Sequence, residues 1–170
     1  MADDPLVKEA RHFLEVLTER IDELKQRSSV LDESMATLHF AEYQQFRDVM
    51  SGCLTFTIII QNRVDRIAEK DQKTATSFGN QLDRLTISIW SVLLRGSLRF
   101  FQVISQHDTL PLGTRDVFTR ELRTLHDANK VFQQDRFKPL TDEAMQKNRK
   151  VAEKILVEII ERAPGLLDSM

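Results

Sequence analysis

The stretch LDRLTISIWSVLLRGSLRFFQVI, residues 82–104, is the most apolar segment of the chain and contains its only tryptophan, Trp90. On a helix, its apolar side chains would cover most of the circumference, as expected for a helix surrounded by other helices or by lipid. Arg95 and Arg99 lie well inside the segment, and each would cost about 2.5–3.5 kcal/mol at the centre of a bilayer. We therefore predict the central helix of a water-soluble helical bundle, with no transmembrane segment.

The composition is that of one ordinary globular domain. A chain of 170 residues that is 41% hydrophobic can bury a substantial core, so we expect a single domain over residues 1–170. Only 5 glycines and 4 prolines are present, which favours long helices over frequent turns. The net charge is −2, and acids interleave with basic clusters, as in NRVDRIAEKD. This pattern predicts no nucleic-acid partner.

Cysteine content and the amino-terminal sequence bear on the compartment. Cys53 is the only cysteine, so no disulfide can form within the chain. The segment MADDPLVKEA is acidic where a signal peptide would be basic, and no apolar signal core follows it. We expect a cytoplasmic protein.

Two further segments have helical heptad spacing. The apolar positions of the first are Val7, Ala10, Leu14, Leu17, Ile21 and Leu24, and those of the second are Tyr43, Phe46, Met50, Cys53, Thr57, Ile60, Val64 and Ile67. The second segment predicts a helix of roughly 40 residues. Turns at Ser28-Ser29 and at Asp71–Thr76 would divide these helices, although continuous helices would also satisfy the pattern. For the last helix, Val151, Ile155, Ile159 and Ile160 are the expected inner face.

Together these segments predict an all-α protein. The expected architecture is an elongated antiparallel helical bundle of about five helices, two of them long. Pro164-Gly165 is expected to end the last helix.

No complete catalytic or metal-binding motif is present. Neither GxGxxG nor GxxxxGK[ST] occurs, and Cys53 has no neighbouring histidine in the sequence. A di-iron bundle needs two Glu-x-x-His pairs, whereas Glu9 and His12 supply one. We expect no metal, no cofactor and no enzymatic activity.

One segment suggests phosphotransfer as an alternative. In LHDANK, residues 125–130, Asp127 directly follows His126 and could accept its ring proton, while Lys130 lies one helical turn further on. The segment loosely resembles the dimerisation helix of sensor kinases, which carries an exposed histidine in mid-helix. It lacks the proline of the kinase motif, and we expect no attached ATP-binding domain. The resemblance implies His126 as phosphoacceptor in a His-Asp signalling pathway.

The arginines of the central segment allow three interpretations. Arg84, Arg95 and Arg99 could pair with Asp65 and Glu69 of the preceding helix. They could instead line a pocket for an anionic ligand or an acidic partner peptide, or contact nucleic acid or lipid headgroups.

Surplus aromatic residues favour a protein that acts by surface contact. Phe100 and Phe101 are adjacent and therefore point about 100° apart on a helix, so one of them must meet something other than the main core. We predict a non-enzymatic interaction protein, such as an adaptor, chaperone-like or regulatory protein, that self-associates. Its expected contact residues are Trp90, Arg95, Arg99, Phe100 and Phe101. The alternatives are phosphotransfer through His126 and binding of a small anionic ligand inside the bundle.

Overall fold

The computed structural model describes residues 4–162, which form an antiparallel bundle of α-helices. The predicted all-α fold is confirmed. Within the described residues there are six α-helices and one short 3₁₀ turn, Lys138–Leu140. The helices are α1 (Pro5–Ser28), α2 (Leu31–Ala36), α3 (Ala41–Ala68), α4 (Gln72–Ile104), α5 (Thr114–Gln133) and α6 (Glu143–Arg162).

Helix α4 is the centre of the bundle, as its sequence predicts. It contacts each of the other five helices. Ile87, Ile89, Leu94 and Phe100 are all buried although they point to different sides of the helix. By length and composition α4 could also cross a bilayer, but half of its most apolar window is buried inside the bundle. Its apolar surface is therefore covered on several sides by neighbouring helices.

The two heptad patterns form the interface between α1, α3 and α4. All six predicted positions of α1 are buried, and all those of α3 are buried except the half-buried Thr57. Asp4 caps α1 by accepting a hydrogen bond from the backbone N–H of Leu6 at 2.9 Å, and Pro5 occupies the first helical position. Spacing and capping thus determine these elements locally.

Both breaks that the pattern left open are present, but the second lies at Glu69–Asp71 instead of Asp71–Thr76, since residues 72–76 already belong to α4. Helix α1 ends at Ser28. A second turn lies between α2 and α3 and contains Leu38, whose φ of 62° is in the left-handed region. Leu31 and Met35 of the intervening α2 are buried, so the apolar pattern continues across a change of direction. This extra short helix brings the number to six instead of about five.

Asp71 separates α3 from α4. Its carboxylate accepts hydrogen bonds from the backbone N–H of Thr74 at 3.1 Å and from the Thr74 hydroxyl at 2.6 Å, and these bonds lower the pKa of Asp71. A new helix therefore begins at Gln72. The prediction of a helix of roughly 40 residues was wrong: α3 has 28 residues and is about 42 Å long.

An aromatic cluster connects α4 with the start of α3 and with α5. Phe100 meets Phe40 at a ring-centre distance of 5.2 Å and Phe101 at 5.4 Å, and Phe101 meets Phe118 of α5 at 5.3 Å. All three contacts are edge-to-face, the arrangement that aromatic quadrupoles favour. The predicted helix end at Pro164-Gly165 lies outside the described residues.

Candidate binding site on helix α4

Arg95 and Arg99 form a basic ridge on the surface of α4. They lie one helical turn apart, with Arg95 exposed and Arg99 partly buried. Neither these two nor Arg84 forms an ion pair with a carboxylate among residues 4–162, so the expected pairing with Asp65 and Glu69 is wrong for this part of the chain. The ridge lies level with the start of α3, where Gly96 meets Tyr43, whereas Asp65 and Glu69 lie at the other end of α3.

The polar contacts of Arg99 are incomplete. Its Nη1 donates a hydrogen bond to Oε1 of Gln102 at 2.9 Å. Its Nε is shielded from solvent and has no hydrogen-bond partner. A shielded guanidinium N–H without an acceptor is energetically costly.

A large groove lies on one side of the ridge. It has a volume of about 780 Å³ and lies between α4 and α6, with Phe118 of α5 in its lining. We call it the α4–α6 groove. Its apolar lining is Leu98, Phe101, Ile104, Phe118, Val151, Ile155 and Ile159, and its polar lining is Arg95, Arg99, Gln102, Ser105, Asn148, Glu158 and Arg162.

The groove results from the way in which α6 packs, which differs from the prediction. The buried residues of α6 are Ala152 and Leu156, whereas Val151 is 44% exposed and Ile160 is 40% exposed. Ile155 and Ile159 are only partly buried. The predicted inner face of α6 was therefore wrong for Val151 and Ile160. Val151, Ile155 and Ile159 line the groove, and Ile155 and Ile159 also pack against the edge of the core.

A smaller recess lies on the other side of the ridge. It has a volume of about 250 Å³ and opens between α4 and the connection from α1 to α2. We call it the α2–α4 recess. Its lining is Ser28, Ser29, Leu31, Asp32, Met35, Tyr43, Phe46, Val92, Arg95, Gly96 and Arg99. The basic ridge therefore borders two concave surfaces.

A buried polar network supports α4 behind the recess. Glu121 of α5 is fully buried and accepts hydrogen bonds from the Tyr43 hydroxyl at 2.8 Å and the Ser97 hydroxyl at 2.5 Å. The Nε of Arg47 lies 2.6 Å from Oε1 of Glu121 in an ion pair, although its N–H does not point along the contact. Arg47 also donates to the backbone carbonyl of Arg120 at 3.2 Å. The network ties α3, α4 and α5 together.

Gly96 provides the space for this network. A Cβ atom at Gly96 would lie 2.7 Å from the hydroxyl oxygen of Tyr43, closer than Cβ atoms approach their neighbours in proteins. The Tyr43 ring therefore passes directly over the α4 backbone to reach Glu121. Burial and the Glu121 charge raise the pKa of Tyr43 well above its ordinary value, so the phenol remains a hydrogen-bond donor.

Burial also raises the pKa of Glu121, against the opposing effects of Arg47 and the two hydroxyl donors. A carboxyl whose folded-state pKa is raised contributes stability that is lost as the pH rises through that pKa. We expect the stability of wild type relative to Glu121→Gln to be highest below about pH 4.5, the ordinary glutamate value, and to fall at higher pH. Urea midpoints of both proteins between pH 4 and 8 measure this difference. A difference that grows with pH would contradict the prediction.

The structure brings three of the five predicted contact residues together. Arg95, Arg99 and Phe101 line the α4–α6 groove. Trp90 is half-buried against the core and lines neither concavity. Phe100 has no exposed surface, so it can contribute to a partner surface only by supporting Phe101.

The predicted phosphoacceptor lies elsewhere, in the middle of α5. The His126 side chain is 39% exposed, and its Nδ1 lies 3.3 Å from Oδ1 of Asp127. Lys130 is exposed. This placement is compatible with the histidine being reached from solvent, and phosphotransfer stays a prediction.

Sequence reasoning missed Glu121 and Arg47. Their signal was available, because Glu121 occupies a core position in the row Thr114, Val117, Glu121, Thr124 and Ala128, all of which are buried. A charged residue in such a row indicates a buried partner of opposite charge.

Comparisons with protein-family models, curated proteins and solved structures found no match to this chain. Among residues 4–162, no group of three or more His, Cys, Asp or Glu side chains is placed to hold a metal ion.

Proposed function

We propose that this protein is a non-enzymatic interaction protein that binds an acidic amphipathic helix of a partner protein in the α4–α6 groove. The observation that carries the proposal is an apolar groove bordered by two arginines that have no carboxylate partner among the described residues. Helix-in-groove binding uses apolar anchors on one face of the ligand helix and charged residues beside them.

The dimensions of the groove suit a helix of three to four turns. Its lining runs from Arg95 to Ser105 along α4 and from Asn148 to Arg162 along α6. At 1.5 Å per residue these walls are about 15 and 21 Å long. The groove is open to solvent, so a bound acyl chain would keep part of its apolar surface in water. An amphipathic helix would instead direct its polar face outward.

The charge of the rim selects the partner. Among residues 4–162, the lining carries three arginines, Arg95, Arg99 and Arg162, and one acid, Glu158, so this described part of the rim has an excess of positive charge. Acids flanking the apolar face of the ligand helix would complement it. A second copy of the chain would place the same arginines opposite each other, which disfavours symmetric self-association through this groove.

Selection from a displayed library of random 16-residue peptides tests the proposal. We expect selected peptides to combine apolar residues at i, i+3, i+4 and i+7 with flanking Asp or Glu. The double variant Arg95→Glu/Arg99→Glu is expected to weaken their binding by at least about tenfold, since each charge-assisted hydrogen bond contributes about 1.5–3 kcal/mol. Arg66→Glu/Lys73→Glu, which alters two exposed cations elsewhere, is the charge-matched control.

A second pair of variants tests the apolar wall. Ile155→Asp places a charge in the groove, whereas Val157→Asp changes an exposed residue of the same helix outside it. Only the first is expected to abolish peptide binding. Selected peptides without acids, or equal binding to wild type and to the Arg95→Glu/Arg99→Glu double variant, would refute the proposal. Concentration-dependent dimers that Ile155→Asp dissociates would show that the groove is a self-association interface.

A further inference from the structure

We propose that the α2–α4 recess is a binding site for a phosphate-class anion, held by Arg95 and Arg99. This site is separate from the apolar groove, although both use the same basic ridge. Its ligand would be a tetrahedral oxyanion, either free phosphate or the phosphate group of a larger molecule.

The two like charges of the basic ridge favour a bound anion. Arg95 and Arg99 are spaced i, i+4, so their like charges lie close together and destabilise the helix. Neither has a carboxylate partner within residues 4–162. A bound anion between the two guanidinium groups would turn this repulsion into two charge-assisted contacts.

Arg99 has a hydrogen-bond donor without an acceptor. The Nε of Arg99 is shielded from water and has no acceptor, whereas its Nη1 is occupied by Gln102. Nε and an Nη atom of arginine together form the fork that holds two oxygens of a phosphate. In this conformation the Nε–H is closed to water and therefore also to a phosphate oxygen, so phosphate binding requires the Arg99 side chain to turn its Nε edge towards the recess.

The volume and lining of the α2–α4 recess also suit a phosphate. A volume of about 250 Å³ accommodates a phosphate with several water molecules. Ser28 and Ser29 also line it, but their hydroxyls donate to the carbonyls of Lys25 at 2.7 Å and Gln26 at 3.1 Å. The arginines are therefore the principal donors.

Asp32 is the acid in this lining, and it provides a sharp test. Its exposed carboxylate opposes an anion in the recess. Asp32→Asn should consequently tighten binding, whereas Arg99→Gln should weaken it. A substitution that improves binding cannot be explained by loss of folding.

The experiment is a titration of the full chain with inorganic phosphate, followed by the NMR signal of the Arg99 Nε–H, with chloride at equal ionic strength as control. We expect a saturable shift with phosphate and none with chloride. Arg95→Gln and Arg99→Gln should each weaken binding about tenfold, and Asp32→Asn should strengthen it. Parallel titration with glycerol 3-phosphate separates the two sources: tighter binding indicates a phosphate monoester, and equal or weaker binding indicates free phosphate.

An unsaturated response, or one unaffected by all three substitutions, would overturn the anion site. Ile155→Asp distinguishes this result from failure of the proposed function. It should remove peptide binding in the groove and leave the phosphate titration unchanged. Peptide binding that depends on the arginines, without phosphate binding, would refute the anion site alone.

Discussion

Replacing Glu121 with alanine is expected to lower the free energy of unfolding by about 3–5 kcal/mol, because Arg47 would remain buried without a counter-charge. Glu121 is fully buried, and only 7% of the surface of Arg47 is exposed to solvent. The Tyr43 and Ser97 hydroxyls would also lose their common acceptor. Equilibrium unfolding in urea at neutral pH measures the loss. A change below about 1 kcal/mol would be inconsistent with a buried ion pair of this kind.

A double variant separates the charge from the packing. Arg47→Met/Glu121→Leu removes both charges and fills a similar volume, and such replacements are often neutral or stabilising by about 1–4 kcal/mol. We expect the double variant to be clearly more stable than Glu121→Ala. If both lose the same stability, the network contributes through its shape and its hydroxyl contacts, and the ion pair has no separate role.

The network also shows where sequence reasoning stops. Helical spacing was sufficient for α1, because Val7, Leu14 and Leu24 face one continuous core. The same spacing contained Glu121, but a linear pattern gives no distance between residues of different helices. Its partners Arg47 and Ser97 lie 74 and 24 positions away in the chain. Only the packing of α3, α4 and α5 brings the three together.

Only part of the candidate site could be predicted from the sequence, because its other part depends on how the helices pack. The ridge of Arg95 and Arg99 followed from helix geometry. Both adjacent phenylalanines are buried, although Phe101 also lines the groove. The groove did not follow from helix geometry, because α6 carries two adjacent apolar rows: Ala152 and Leu156 enter the core, whereas Val151 and Ile155 border the groove. Either row could pack inward on periodicity alone. Only the packing of α6 against α4 and α5 decides which row is buried.

Replacing Phe100 with alanine is the second large effect that we expect, with a loss of about 3–5 kcal/mol in the free energy of unfolding. Phe100 has no exposed surface and contacts the rings of Phe40 and Phe101. Its removal would leave a cavity between α4 and the start of α3. Urea unfolding measures the loss, and a change below about 2 kcal/mol would mean that the neighbouring rings collapse into the space.

Phe101→Ala is the matched control, since Phe101 is the adjacent residue and is also buried, with 8% of its surface exposed, but it lines the α4–α6 groove. The two substitutions should therefore separate stability from binding. Phe100→Ala should cost the greater stability and leave the affinity for groove-binding peptides largely unchanged at temperatures where the protein is folded. Phe101→Ala should cost less stability and weaken the binding of those peptides. If Phe100→Ala weakened peptide binding as much as Phe101→Ala, the groove would depend on the packing beneath Phe101, and the division between core and contact surface proposed for these two rings would be wrong.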